Sequence, residues 1–211
     1  LINIQAGNKN LKRILNNVCS MASTLSPTLS REAGEGAKPV KLIAAFFIVL
    51  SITACSPKYD WRDVQGGEAP YTVLMPDKPS RLSREIQLGQ QTVTMHMAAA
   101  KIDDVKFVVG AVKMLDATEA QTALAIIKNT LLKNMAGTIT QEKRTVTNAG
   151  GKLTINDKFS AVSSASSIRM SARLVASDVW AFEVLVVGPE VMKSEAVDTA
   201  IETFLSSFKP V

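Results

Sequence analysis

A single histidine, His96, and two cysteines, Cys19 and Cys55, hold most of the nucleophilic and metal-ligating capacity of this 211-residue chain. One imidazole cannot supply a His-based metal pair or a histidine relay. His96 can act as a lone base or a pH-sensitive contact, but it alternates with Val93 and Met95 on the same side as Thr92 and Thr94. The favoured reading is a solvated strand residue. Arg169 and Arg173 flank Ser171 at alternate positions, which puts all three on one face of a strand. Such a strip can hold an anionic ligand, or it can be an exposed or helix-edge polar face. Arg169, Arg173 and His96 are therefore the candidate ligand-binding residues. The adjacent acids Asp103 and Asp104 fall short of the ligand count that calcium requires and read as a turn. The serines at 160, 163, 164, 166 and 167 read as a flexible loop, and Gly150-Gly151 lies between two β-rich runs rather than opening a phosphate-binding helix. No catalytic set, metal site or cofactor is expected.

The chemistry of Cys55 is of another kind. Lys41 precedes nine apolar residues, Leu42 to Leu50, and the tetrapeptide Ile52-Thr53-Ala54-Cys55 follows. A spanning helix needs about 20 apolar residues, whereas signal h-regions run to roughly 7–15. The segment resembles a bacterial lipoprotein signal: Ile52, Thr53, Ala54 and Cys55 match the lipobox pattern. The resemblance implies cleavage before Cys55, lipid on its sulfur and attachment to a membrane through acyl chains, each buried methylene contributing about 0.8 kcal/mol. Ser56, rather than Asp, at the second mature position is compatible with an outer-membrane, periplasm-facing lipoprotein, with the inner membrane the lesser choice.

This reading divides the chain into a leader (1–39), a signal peptide (40–54), a lipidated tether (55–69) and one domain (70–211). The leader is polar and aperiodic from Ser26 to Pro39 and is read as over-extended or unstructured, with translation starting at Val40 or Met21. Pro57 to Pro70, with Gly66-Gly67 and no clear period, reads as the tether, with Tyr59 and Trp61 packing back on the domain. Six of the 24 basic residues but only two of the 19 acids precede Cys55, leaving 18 against 17 beyond it. The net charge of +5 thus belongs mostly to the leader, and a nucleic-acid partner is not expected. Cys19 falls in the leader and Cys55 becomes a thioether, so the domain must stand on its apolar core.

The elements that would position these residues are legible in the hydrophobic periods. Tyr71–Met75 is a short strand stopped by Pro76, and a meander follows through 82–88, 92–100 and 105–115. Ala120, Leu124, Ile127, Leu131 and Met135 share one face of a helix over 118–136, capped by Asp116 or Thr118 and stopped by Gly137. Four strands are expected at 138–146, 152–162, 168–177 and 179–187, with turns at Asn148–Gly151 and Ser177-Asp178. A last helix spans 194–207. Met95, Met97, Met114, Met135 and Met170 sit at positions that make them core filler or the lining of an adaptable groove.

The fold class expected is α+β, an antiparallel sheet of about six or more strands flanked by two helices. The opening YTVLMPDKP, the hairpin RLVASDVWAFEVLVVGP and the closing FLSSFKP resemble PsbP-like domains, a group that includes envelope lipoproteins of the DcrB and LpqN type. The resemblance implies Trp180, Phe182, Phe204 and Phe208 as core residues and a binding or assembly role with no shared active site. The function expected is a membrane-anchored, non-enzymatic module that docks an envelope protein partner. The alternative is a periplasmic small-ligand-binding or enzymatic domain, holding an apolar or anionic molecule between helix and sheet.

Overall fold

The computed structural model describes residues 58–149 and 151–211; the lipobox and everything before it lie outside the described residues. Among the described residues ten strands form two sheets. The larger has seven antiparallel strands in the order β3-β4-β5-β9-β8-β7-β6: β3 (Ser80–Leu88), β4 (Gln91–Ile102), β5 (Val105–Lys113), β6 (Thr138–Ala149), β7 (Lys152–Ser163), β8 (Ile168–Ser177) and β9 (Trp180–Pro189). Two meanders, β3–β5 and β6–β9, meet through the β5–β9 pairing in the middle of the sheet. The smaller sheet orders β1 (Arg62–Gln65), β2 (Tyr71–Met75) and β10 (Lys209–Pro210) as β1-β2-β10. The expected α+β class holds, with two helices among the described residues. None of them is long and apolar enough to cross a membrane.

Helix α1 (Ala117–Met135) links the meanders and buries Ala120, Ala123, Leu124 and Ile127 on one face of the large sheet. Asp116 is its cap, accepting from the Glu119 amide at 2.8 Å, and Glu119 reaches back to the Leu115 amide at 3.2 Å. Its stop differs from the expectation in one respect. Ala136, not Gly137, takes the left-handed conformation (φ 50°), while the Gly137 amide closes onto the Leu132 carbonyl at 2.9 Å. Helix α2 (Glu195–Ser207), capped by Ser194, buries Val197, Ala200, Ile201, Phe204 and Leu205 against the opposite face and the small sheet.

The segment expected to be a tether is in part a strand. Arg62–Gln65 pairs antiparallel with β2, Val64 enters the core, and the chain turns back through Gly66-Gly67, where a Cβ on Gly66 would meet the Ala69 carbonyl at 2.2 Å. One buried residue in four is too short a pattern to read as a period. Tyr59 and Trp61 pack on the domain as expected, their rings stacked at 5.8 Å. Asp103-Asp104 forms the β4–β5 turn, with Asp103 at φ 52°. The β8–β9 turn falls one residue later than expected, at Asp178-Val179, because Ser177 pairs with Trp180.

Candidate functional site

The sequence candidates are not gathered at one place. His96 lies on β4 opposite Ser83 of β3 and Ala111 of β5. It is not solvated as expected: its side chain is 17% exposed, because the small Ala111 lets Trp180 lean across to 6.3 Å from the imidazole. Ser83 Oγ lies 2.9 Å from His96 Nδ1 and Glu68 Oε2 lies 3.5 Å from Nε2. A Ser–His–Glu chain has the composition of a nucleophilic relay. However, it borders an open groove of about 980 Å³, and Glu68 is 80% exposed. Nucleophilic catalysis relies on preorganised donors in a water-excluded site, and a carboxylate this wet holds a ring only weakly. The chain orients His96 beside Trp180 rather than activating Ser83.

Arg169 and Arg173 lie on the α2 side of β8 and hold that helix to the sheet. Arg169 Nη1 pairs with Asp198 Oδ1 at 2.7 Å. Arg173 donates from Nη1 to the Leu205 and Phe208 carbonyls at 2.9 and 3.0 Å, and from Nε and Nη2 to Asn156 Oδ1 at 3.1 and 2.8 Å. The orphan carbonyls at the end of α2 are thereby satisfied by a cation, which the helix dipole also favours. The strip is a helix-edge face, the second of the two readings open to it.

A pair that sequence reasoning passed over lies on the other face. Glu183 follows Phe182 in β9 and therefore points to the α1 side, where it is 7% exposed. Arg84, on β3, points to the same side, and both line a pocket of about 350 Å³ roofed by Ile127, Thr130, Leu131 and Asn134 of α1. The carboxyl fits because its neighbour on β5 is Gly110, where a Cβ would come within 2.7 Å of Glu183 Cγ and Oε1. Burial pushes the Glu183 carboxyl up to about 7, against the pull of the Arg84 charge, and burial lowers the Arg84 guanidinium. Among the described residues Arg84 Nε is buried without a hydrogen-bond partner, and Glu183 has no side-chain hydrogen bond or ion pair within 4.0 Å. The available signal was the single acid inside the apolar run WAFEVLVV, on the face not occupied by Trp180, Phe182, Val184 and Val186. An acid there must be paired, protonated or functional.

No protein-family model matches the chain, and no curated protein matches it. Among solved structures it is similar to the solution structure of cyanobacterial PsbP (CyanoP) from Synechocystis sp. PCC 6803. The identity is 11% and the TM-score 0.47, over 76% of this chain and 99% of that one. The α+β class and the strand order rest on the pairings described above.

Proposed function

We propose that this chain is a membrane-anchored bacterial envelope lipoprotein, its domain a non-enzymatic interaction or assembly module facing the periplasm from the outer membrane. The observation that carries the reading is the lipobox Ile52-Thr53-Ala54-Cys55 placed close before a self-sufficient domain. Packing begins almost at once: Lys58 pairs with Asp103 at 2.8 Å and Tyr59 stacks on Trp61. Only Ser56 and Pro57 separate Cys55 from Lys58, and the three Cα-to-Cα steps span at most about 11 Å. A lipid on Cys55 would therefore hold the β4–β5 turn close to the bilayer surface, and the large sheet would be presented in a restricted orientation to a protein partner. The resemblance to lipoproteins of the DcrB and LpqN type accords with this. The test expresses the chain from Val40, as Met, in a Gram-negative host beside its Cys55→Ser variant. Palmitate labelling and outer-membrane recovery that vanish in the variant support the reading; an unlabelled, soluble wild type overturns it.

A second reading, a periplasmic small-ligand-binding domain, is favoured by one observation. The pocket beneath α1 brings the half-buried Arg84 and the buried Glu183 together with apolar walls, the usual make-up of a small-molecule site.

A further inference from the structure

The large sheet separates two layers of unlike chemistry. On the α2 side Tyr71, Phe107, Phe182, Phe204 and Phe208 interlock, with Phe107 edge-on to Phe204 at 5.4 Å and Tyr71 edge-on to Phe182 at 6.0 Å. On the α1 side the core is built from methionine, alanine and aliphatic residues: Met95, Met97, Met114 and Met170 are buried there, Met135 packs against them, and Phe159 is the one aromatic residue of the cluster. Interlocked rings fix a single packing, whereas thioethers on three rotatable bonds re-pack around a guest. The pocket opens in this adaptable layer, next to Met95.

Its polar end is specific. Arg84 presents a buried Nε–H with no partner, and the Nε/Nη edge of a guanidinium matches the two oxygens of a carboxylate. Glu183, 93% removed from solvent and without a side-chain partner among the described residues, borders the same space. We propose that the pocket beneath α1 binds a single-chain amphiphile with a carboxylate head, the head on Arg84 and hydrogen-bonded to protonated Glu183, and the tail along Ile86, Leu88, Met95, Ile127 and Leu131. The proposal deepens the ligand-binding reading above and rests on it. At about 350 Å³ the space suits a short acyl chain, near the lower end of small-molecule sites. A dianionic phosphate head would meet Glu183 as a second acid beside one arginine and is disfavoured, as is a polar, tailless anion that leaves the apolar walls uncovered.

Proton balance gives the proposal a second signature. Two carboxylates cannot both stay ionised against one guanidinium in a buried site, so the complex keeps the Glu183 proton. Among the described residues the charged groups bordering the pocket are Arg84 and Glu85 of β3 and Glu183 itself; α1 contributes Ile127, Thr130, Leu131 and Asn134, which carry no charge. With the carboxyl near 7, affinity for a carboxylate falls about tenfold between pH 6 and pH 8.

The experiment titrates decanoate, decylamine and decanol into the full chain carrying Cys55→Ser, with methionine methyl groups followed by NMR. Decanoate is expected to shift Met95 saturably and leave Met75, in the aromatic layer, unmoved. Binding should weaken about tenfold from pH 6 to pH 8, and Glu183→Gln should remove that dependence while keeping affinity. Arg84→Met should lower affinity at least tenfold with the Met75 signal intact; should that variant unfold, the Glu183→Gln pH profile decides alone. Equal binding of decanol, or an unchanged affinity in folded Arg84→Met, overturns the carboxylate assignment. Saturable binding of decylamine alone overturns it while the ligand-binding reading stands, and no saturable shift with any of the three overturns both. Anchoring through Cys55 is untouched by either outcome.

Discussion

Gly110 on β5 lies directly against the Glu183 carboxyl of β9, so close that a Cβ on residue 110 would stand 2.7 Å from Oε1. The absence of one side chain is what admits the other. Gly110→Ala should destabilise the domain by about 1–3 kcal/mol through overpacking. In a Glu183→Ala background the same change should cost much less, because the two sites share the space; a double-mutant cycle in urea measures the coupling.

Stability should depend on pH through the same carboxyl. Its folded value, about 7, lies above the ordinary 4.5. Between those limits the folded chain keeps a proton that the unfolded chain has lost. The contribution is present in full below about pH 4.5, declines as pH rises, and is lost above about pH 7. Between pH 5 and pH 8 this amounts to on the order of 2 kcal/mol. Urea unfolding of the wild type should show that decline, and Glu183→Gln should lack it.

Arg173 holds the end of α2. Its guanidinium reaches the Leu205 and Phe208 carbonyls and Asn156 Oδ1 while lying 5.8 Å from the Phe208 ring centre. Arg173→Ala should cost about 2–4 kcal/mol, since several charge-assisted bonds and buried acceptors are lost together. Arg173→Lys should recover less than half of that, because an ammonium cannot span the same fork of partners. Chemical denaturation of the three proteins decides.

Lys128 of α1 pairs with Glu142 of β6 and with Asp157 of β7, the latter at 3.2 Å, and lies 5.2 Å from the centre of Phe159. Burial lowers the ammonium value, but the hydrogen bonds it donates to the two carboxylates, with their charges, outweigh it and the net shift is upward. Asp157 is 5% exposed. Lys128→Met should therefore destabilise by about 3–5 kcal/mol, by leaving a buried anion unpaired. Adding Asp157→Asn should restore most of the loss, as read by thermal unfolding.

Ala136 occupies a left-handed backbone position that favours glycine. Ala136→Gly should stabilise the domain by about 1 kcal/mol, visible as a raised melting temperature. No change, or a loss, would show that the Ala136 methyl contributes packing that outweighs the backbone relief.

Much of the framework was legible because its signals are local. The face Ala120, Leu124, Ile127, Leu131 placed α1 within one residue of its observed bounds, and Tyr71–Met75 was bounded correctly by proline chemistry. The alternation Ile168, Met170, Ala172, Leu174 fixed β8 as a strand. β1 was missed because four residues with a single buried Val64 carry no period, and β10 because two residues make a strand only when β2 is beside them. Alternation showed that Arg169 and Arg173 share a face with Ser171, but not that α2 covers that face.

The amino-acid order by itself determined the element types and most of their bounds, and it narrowed the cap of α1 to Asp116 or Thr118. Side-chain period and turn chemistry act over a few residues, so they can be read without knowing the fold. Tertiary structure alone decided that β9 pairs with β5. That pairing brings Glu183 beside Gly110 and into one pocket with Arg84, about a hundred residues earlier in the chain. Strand pairing across such a separation depends on which apolar faces can be buried together, a property of the whole chain rather than of any segment.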